Sequence, residues 1–307
     1  MPSLKIEIAQ SLFKQNKYQE AINTCNQILT ANANSIEAFK LIAKSFLAIK
    51  KIEDARLYLN KALNMKPYDY EVIKDLGNTY QAIGDVNTAK KYYEKAIEIN
   101  DCYAPALTNL GNIELTKGNK IKALSLLIKA TESDPELANA WANLANAYVQ
   151  LDKMKNAEIA CRKSIDLNPN LFNSFFLLGS ILIGQKKLIE AEVLLRKAIN
   201  LKPDLDSAHY NLGSVLSDLG KLKEAELSTR KAIEINPNNA DAYSNLGAIL
   251  SDLNKLKEAE SSMRKSIELN PDKANSHFNL GSILKDLGKL KEAELSQRKA
   301  IELNPNF

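Results

Sequence analysis

Residues 206–239 read DSAHYNLGSVLSDLGKLKEAELSTRKAIEINPNN, and residues 274–307 read ANSHFNLGSILKDLGKLKEAELSQRKAIELNPNF. The two stretches agree at 25 of 34 positions. Self-similarity at a fixed period of this length marks a repeat array, in which each repeat is one supersecondary unit. The prolines carry the same period outward. Pro67, Pro135, Pro169, Pro203, Pro237, Pro271 and Pro305 fall on one 34-residue grid, with Asp101 in the slot between the first two. With that slot as position 32, nine units begin at residues 2, 36, 70, 104, 138, 172, 206, 240 and 274, and only Met1 is left over. The first unit carries Ala33 in the proline slot and is the most degenerate.

Inside a unit the spacing predicts two helices. Large residues at positions 4, 7 and 11, with a small one at 8, fall on one helical face, as in Leu212, Gly213 and Leu216. Positions 20, 24, 27 and 28 give a second apolar stripe, as in Ala191, Leu195, Ala198 and Ile199. Position 20 is alanine in all nine units and position 8 is always Gly or Ala, so the two backbones can approach closely. Pairs such as Gly84-Asp85 and Gly220-Lys221 break the chain between the helices. Proline at 32 stops the second helix.

This pattern, with an aromatic or similar residue at 4, Leu at 7, Gly or Ala at 8, Tyr or Leu at 11, Ala at 20 and Pro at 32, resembles the tetratricopeptide repeat. Unit five shows it in Trp141, Leu144, Ala145, Tyr148, Ala157, Cys161 and Pro169. The resemblance covers essentially the whole chain. It implies an all-α fold, a right-handed superhelical α-solenoid of nine 34-residue helix-turn-helix units. No Gly/Ser/Pro-rich linker interrupts the grid, so one elongated domain is expected over residues 2–307. Unit four departs locally: Lys120 takes the usually apolar position 17, and Ile121 follows it.

Composition agrees with a folded protein. The chain has 307 residues, 45% hydrophobic and 25% charged. That length exceeds the usual single core, a limit that a solenoid escapes because each unit packs only on its neighbours. A net charge of +4 is too small to predict nucleic-acid binding. The start Met1-Pro2-Ser3-Leu4 lacks the make-up of a secretory leader, and no apolar run approaches the ~18 residues a membrane span needs. A cytoplasmic location is the expectation.

Each residue type that suggests chemistry falls on a repeat slot. Cys25 and Cys161 sit at position 24, where Leu59 and Leu195 pack elsewhere. With Cys102 they make an odd, widely spaced set that fits neither a disulfide frame nor a zinc site. His209 and His277 occupy position 4, the slot of Trp141, Phe175 and Tyr243, and read as rings replacing rings. No phosphate loop or metal motif occurs, and Gly179-Ser180, Gly213-Ser214 and Gly281-Ser282 are helix-interior positions. The expectation is a non-enzyme that needs no cofactor or metal. Arg162, Arg196, Arg230, Arg264 and Arg298 at position 25 each follow a glutamate by four residues, which reads as a self-neutralising outer face. Lys153, Lys187, Lys221, Lys255 and Lys289 at position 16 form a further basic ridge, read first as solvated.

Positions 2, 5, 6, 9 and 13 of the first helix form a stripe beside the buried one. In tetratricopeptide proteins it lines the concave groove, and the resemblance therefore implies peptide or protein binding there. Position 6 holds Asn109, Asn143, Asn211, Asn245 and Asn279, an asparagine ladder broken at Leu177. A carboxamide both donates and accepts, so it can pair with any peptide backbone. A similar ladder is characteristic of the repeat region of O-linked N-acetylglucosamine transferases. The alternative is that these asparagines serve local hydrogen bonding. Position 9 adds Asn78, Asn112 and Asn146, then Ser180, Ser214 and Ser282, and position 13 adds Asp218, Asp252 and Asp286. In units two and three Lys40, Lys44 and Lys74 are offset by Glu37, Glu71 and Asp75. Lys74, Asn78 and Asn109 match the carboxylate clamp of the family's chaperone adaptors, but Asn139 and Asn143 stand where its other two cations belong.

The best reading is an interaction scaffold for extended peptides or proteins. The runner-up is the recognition arm of a glycosyltransferase or other modifying enzyme whose catalytic part lies elsewhere. RNA binding, the third reading, would want a 35-residue period and a basic groove. Lys5 at position 4 suits unit one to a capping role, whereas the close on Pro305-Asn306-Phe307 adds no capping helix. That end is expected either to continue into another domain or to be covered by end-to-end self-association.

Overall fold

The computed structural model describes residues 2–305, the side chains of Pro2 and Ser3 excepted. Asn306 and Phe307, on which the reading of the C-terminal end partly rested, lie outside the described residues. The chain divides into two compact halves, Met1–Lys153 and Met154–Phe307. The first holds α1 (Pro2–Lys14), α2 (Tyr18–Ala31), α3 (Ile36–Ala48), α4 (Ile52–Met65), α5 (Tyr70–Ala82), α6 (Val86–Ile99), α7 (Ala104–Thr116), α8 (Lys120–Ser133) and α9 (Ala138–Gln150). The second holds α10 (Met154–Leu167), α11 (Phe172–Gly184), α12 (Leu188–Leu201), α13 (Asp206–Asp218), α14 (Leu222–Ile235), α15 (Ala240–Asp252), α16 (Leu256–Leu269), α17 (Ala274–Asp286) and α18 (Leu290–Leu303). There is no strand among the described residues. The fold is the all-α helical-hairpin array that the period implies.

The turn between the two helices of a unit is sharper than a polar pair alone requires. Position 15 has positive φ in every unit, at Asn16, Lys50, Asp152, Lys186 and Asn254 as well as at Gly84, Gly118, Gly220 and Gly288. The N–H of the following residue bonds back to the carbonyl of position 11, as in Lys221 to Leu216 at 2.8 Å and Lys187 to Leu182 at 3.0 Å. A second bond runs from position 15 to position 12, as in Lys186 to Ile183 at 3.0 Å. This is the Schellman closure, which satisfies carbonyls that the helix end would leave unpaired.

Close approach of the two helices follows from the small residues. The position-20 alanines are buried in all nine units. A Cβ added at Gly77 would lie 2.6 Å from Cε1 of the fully buried Tyr93, and one at Gly281 would lie 2.6 Å from Cγ of Gln297. Position 8 is thus matched to the bulk at position 24, where Cys25 packs in the same cluster as Ala9. The first helix of a unit also buries a face that the hydrophobic pattern understated. Ala208, Ala242, Val215 and Ile249, at positions 3 and 10, are fully buried. The reason is its place in the stack. Helix α13 packs against α14, against α12 of the preceding unit and against α15 of the next.

Candidate functional site

The inner stripe is carried by the first helices, whose other faces are occupied by packing. In the N-terminal half, Lys74, Asn78 and Asn109 do come together. Asn109 donates from Nδ2 to Asn78 Oδ1 at 2.9 Å, and Asn78 donates from Nδ2 to Asp75 Oδ1 at 3.2 Å. The Tyr93 hydroxyl lies 2.8 Å from Asn78 Oδ1 and 2.6 Å from Gln81 Oε1. Lys74 Nζ pairs with Asp75 Oδ1 at 2.5 Å, so the cation that a carboxylate clamp would use is already neutralised. Asp75 is buried, and its Oδ2 has no partner among the described residues. Lys40 is likewise bound to Glu71, and to Asp69 at 3.5 Å. Beside that pair an open pocket of about 340 Å³ has Phe13 and Leu41 in its lining, with Lys14 and Lys44 among its charged groups. The expected charge offset in units two and three therefore holds at Lys40 and Lys74.

In the C-terminal half, Asn211 donates from Nδ2 to Ser180 Oγ at 3.1 Å, again reaching back to position 9 of the preceding unit. Asn245 Nδ2 is buried without a partner among the described residues. Its counterpart at position 9 is Ser214, which is half-buried, and Asn279 is half-exposed. Ser282 donates to the Phe278 carbonyl at 3.3 Å within its own helix. Asp218, Asp252 and Asp286 are the exposed last residues of α13, α15 and α17. Asn112, Asn143 and Asn146 are half-buried in α7 and α9. Part of the ladder thus serves hydrogen bonding between neighbouring units, and this use engages the amide nitrogens of Asn109 and Asn211.

The histidines do more than fill a ring slot. His209 Nε2 lies 3.0 Å from the Pro203 carbonyl and His277 Nε2 lies 2.9 Å from that of Pro271. Trp141 Nε1 donates to the Pro135 carbonyl at 2.9 Å. A ring N–H at position 4 therefore ties down the proline carbonyl of the preceding unit. Burial pushes the thiols of Cys25 and Cys161 up to about 11 and about 12, which keeps them protonated, whereas Cys102 is exposed. Among the described residues no cluster of His, Cys, Asp or Glu side chains could hold a metal ion. No described helix is long and apolar enough to cross a membrane.

The outer charges are more organised than solvation alone would make them. Arg196 Nη2 pairs with Glu192 at 3.0 Å in its own helix and with Glu224 of the next unit at 2.5 Å, while Lys221 of that unit returns to Glu192 at 2.8 Å. The same three contacts recur at Arg230, with Glu226 at 2.9 Å, Glu258 at 2.7 Å and Lys255 to Glu226 at 2.8 Å. They recur at Arg264, with Glu260 at 2.9 Å, Glu292 at 2.5 Å and Lys289 to Glu260 at 2.8 Å. The position-16 lysines Lys221, Lys255 and Lys289 are therefore not a free basic ridge. They close an inter-unit lattice, because position 21 of one unit lies beside position 16 of the next. Hydrogen bonds from these lysines, ahead of the burial that opposes them, hold Glu192, Glu226 and Glu260 below the usual carboxylate range.

One charged residue escaped the sequence reading. Glu114 occupies position 11, where Leu182, Leu216, Leu250 and Leu284 pack in units six to nine, and it is fully buried. It accepts from Lys90 at 2.7 Å, Lys122 at 3.1 Å and Asn119 at 2.7 Å. Burial pushes its carboxyl up, but these three donors together hold it at about 2. The signal was present in the sequence as a lone carboxylate in a slot that is apolar in every other unit.

Comparison with known proteins agrees with this architecture. Residues 65–279 match the family model described as the C-terminal domain of cilia and flagella-associated protein 70. Residues 4–62 match that of anaphase-promoting complex, cyclosome, subunit 3, and residues 274–307 match the tetratricopeptide repeat itself. The chain belongs to the tetratricopeptide-repeat family. No curated protein matches it. Among solved structures it is similar to one described as the anaphase-promoting complex hetero-tetramer Cut9-Hcn1, with a TM-score of 0.71 and 16% identity over 92% of this chain and 55% of that one. The chain thus spans about half the length of that neighbour. It is also similar to YrrB, described as a TPR protein with an unusual peptide-binding site, with a TM-score of 0.53 and 27% identity over 60% of this chain and 95% of that one. A third similarity is to PilF of Pseudomonas aeruginosa, with a TM-score of 0.59 and 24% identity over 66% of this chain and 93% of that one. A repeat scaffold of this type fits a role in protein interaction and is typically non-catalytic.

Proposed function

We propose that the chain is a non-enzymatic scaffold that binds extended peptide or protein segments along the inner stripe of its first helices, acting in the cytoplasm as one array over residues 2–307. One observation carries this reading. Asn109, Asn143, Asn211, Asn245 and Asn279 remain only half-buried, while neighbouring positions of the same helices are consumed by packing. Where their amide nitrogens are held by the preceding unit, the carbonyl oxygens are oriented as acceptors, which suits a peptide backbone regardless of its side chains. Ser214 and Ser282, with the carboxylates of Asp218, Asp252 and Asp286, would flank such a segment in the C-terminal half. The 27% identity to a protein described as having a peptide-binding site supports the class of ligand. A recognition arm for a separate modifying enzyme draws on the same ladder, and no further observation favours it. Affinity capture on the intact chain, repeated with Asn211, Asn245 and Asn279 changed to alanine, tests the reading. The expected result is loss of the captured partners at unchanged helix content. Partners retained by the variant would remove the ladder as the binding surface.

A further inference from the structure

The corner where the turn of unit four meets the end of α9 is built differently from the equivalent corners further along the chain. Units six to nine carry Leu at position 17 and Glu at position 19, as in Leu188 and Glu190, and units five to nine carry Glu at position 21. Here Lys120 and Lys122 take positions 17 and 19, Lys90 of the preceding unit takes position 21, and Glu114 takes position 11. An open cavity of about 630 Å³ has these four residues in its lining, together with Ile121 and Leu151. The corner of unit six, lined by Leu188, Glu190 and Leu219 among others, encloses about 360 Å³. The charges of the larger cavity do not balance. Glu114 is occupied on both oxygens: Lys90 at 2.7 Å and Lys122 at 3.1 Å share Oε1, and Asn119 at 2.7 Å takes Oε2. Because they share one oxygen, the two ammonium groups lie within about 6 Å of each other. Glu94, 3.8 Å from Lys90, is the one further carboxylate paired with these lysines among the described residues. Lys120 donates to a neutral group, the Gln150 carbonyl, at 2.8 Å. Three cations thus meet two carboxylates, whereas the lattice set between units six and seven, Arg196 and Lys221 with Glu192 and Glu224, is neutral. An ammonium carries three donors, so each lysine keeps N–H groups for a further acceptor. Lys120 and Lys122 are exposed, so a ligand can reach them.

We propose that this corner binds a phosphate monoester, with its phosphoryl oxygens on the ammonium groups of Lys90, Lys120 and Lys122 and its organic part against Ile121 and Leu151. A phosphate monoester brings close to two negative charges and three strong acceptor oxygens, one for each lysine. Glu114 holds two of the three cations in place through charge-assisted hydrogen bonds. The site uses no residue of the inner stripe, so it stands whether or not the asparagines bind a peptide. Isothermal titration calorimetry on the intact chain tests it with two probes, phenyl phosphate and a short peptide carrying phosphotyrosine. Saturable binding of at least one probe is expected, weakening as salt is added. Equal affinities would assign the site to a free small ester, and a tighter peptide would assign it to a phosphorylated protein segment. Lys120→Leu, which restores the residue of units six to nine, should weaken binding roughly tenfold with helix content unchanged. Lys257→Leu, which removes an exposed lysine of α16 outside the lining, should leave binding as it is. Failure of both probes to bind would overturn the proposal. So would binding indifferent to Lys120→Leu, an equal loss from Lys257→Leu, or phenol and the unmodified peptide binding as tightly as the phosphorylated probes.

Discussion

Position 15 adopts the same left-handed conformation in all nine units, whether or not glycine is there to favour it. Lys186, with φ of 60°, holds the conformation against the clash between its Cβ and backbone. The array tolerates this because the Schellman bonds of the turn and the packing of both helices over-determine it. Relieving the clash should stabilise the protein, less the extra freedom that glycine gives the unfolded chain. Lys186→Gly is therefore expected to raise the urea midpoint by the equivalent of about 0.5–1 kcal/mol. The side chain is exposed and has no hydrogen bond or ion pair among the described residues, so an unchanged or lowered midpoint would show that the turn carries no such strain. The position-4 rings give a second lesson at this scale. Trp141, His209 and His277 differ in size and ring type, yet each presents a ring nitrogen to a proline carbonyl six residues back. Their shared slot was legible from the spacing. The shared hydrogen bond was not, because the periodicity specifies which face a residue occupies and not what its polar edge meets.

The helix pair α7–α8 is the element that departs most from its neighbours. Glu114 replaces a core leucine or aromatic and draws Lys90, Lys122 and Asn119 toward it, so the Asn119 side chain is spent on the carboxylate and makes no cap bond at the start of α8. Its carboxyl is held at about 2, from an ordinary 4.5. A folded-state value below the unfolded one means that the unfolded chain takes up the proton first. The resulting stability is present above pH ~4.5 and is lost as pH falls toward ~2. Because Lys90 and Lys122 are partly solvated, the loss should be about 1–3 kcal/mol. Glu114→Leu restores the residue of units six to nine but strips Lys90 and Lys122 of their shared carboxylate; both lysines are partly exposed and Lys90 keeps Glu94, so stability at pH 7 should change only modestly. Urea midpoints at several pH values read the contrast: wild type should fall more steeply than Glu114→Leu below pH ~4.5. Parallel slopes would show that Glu114 does not carry the charge coupling. The two helices of this unit were predictable from the grid, since Ala123 and Leu127 still hold positions 20 and 24. The buried charge cluster was not legible, because a single carboxylate among apolar slots does not reveal which lysines three-dimensional stacking will bring to it.

Across the whole molecule, the period made the nine units legible because each repeats the same local compromise of small and large residues. The functional stripe was legible only in outline. Side chains at positions 6 and 9 of adjacent units pair with one another at a separation of 31 residues, which no single unit discloses. The same stacking has a consequence for unfolding. In the C-terminal half each hairpin contacts only its immediate neighbours, as α15 does with α14, α16, α13 and α17. Stability is then close to a sum of unit and interface contributions, and damage should stay local. Leu250 is fully buried in a cluster with Ala259, Met263, Ile283 and Leu284. Leu250→Ala should cost about 2–5 kcal/mol through the lost contacts and the cavity left behind. Hydrogen exchange followed helix by helix should show protection falling most in α15 to α17 and least in α10 and α11. A uniform loss through α10–α18 would mean that the half unfolds as one cooperative body, and that its repeats are coupled far beyond nearest neighbours.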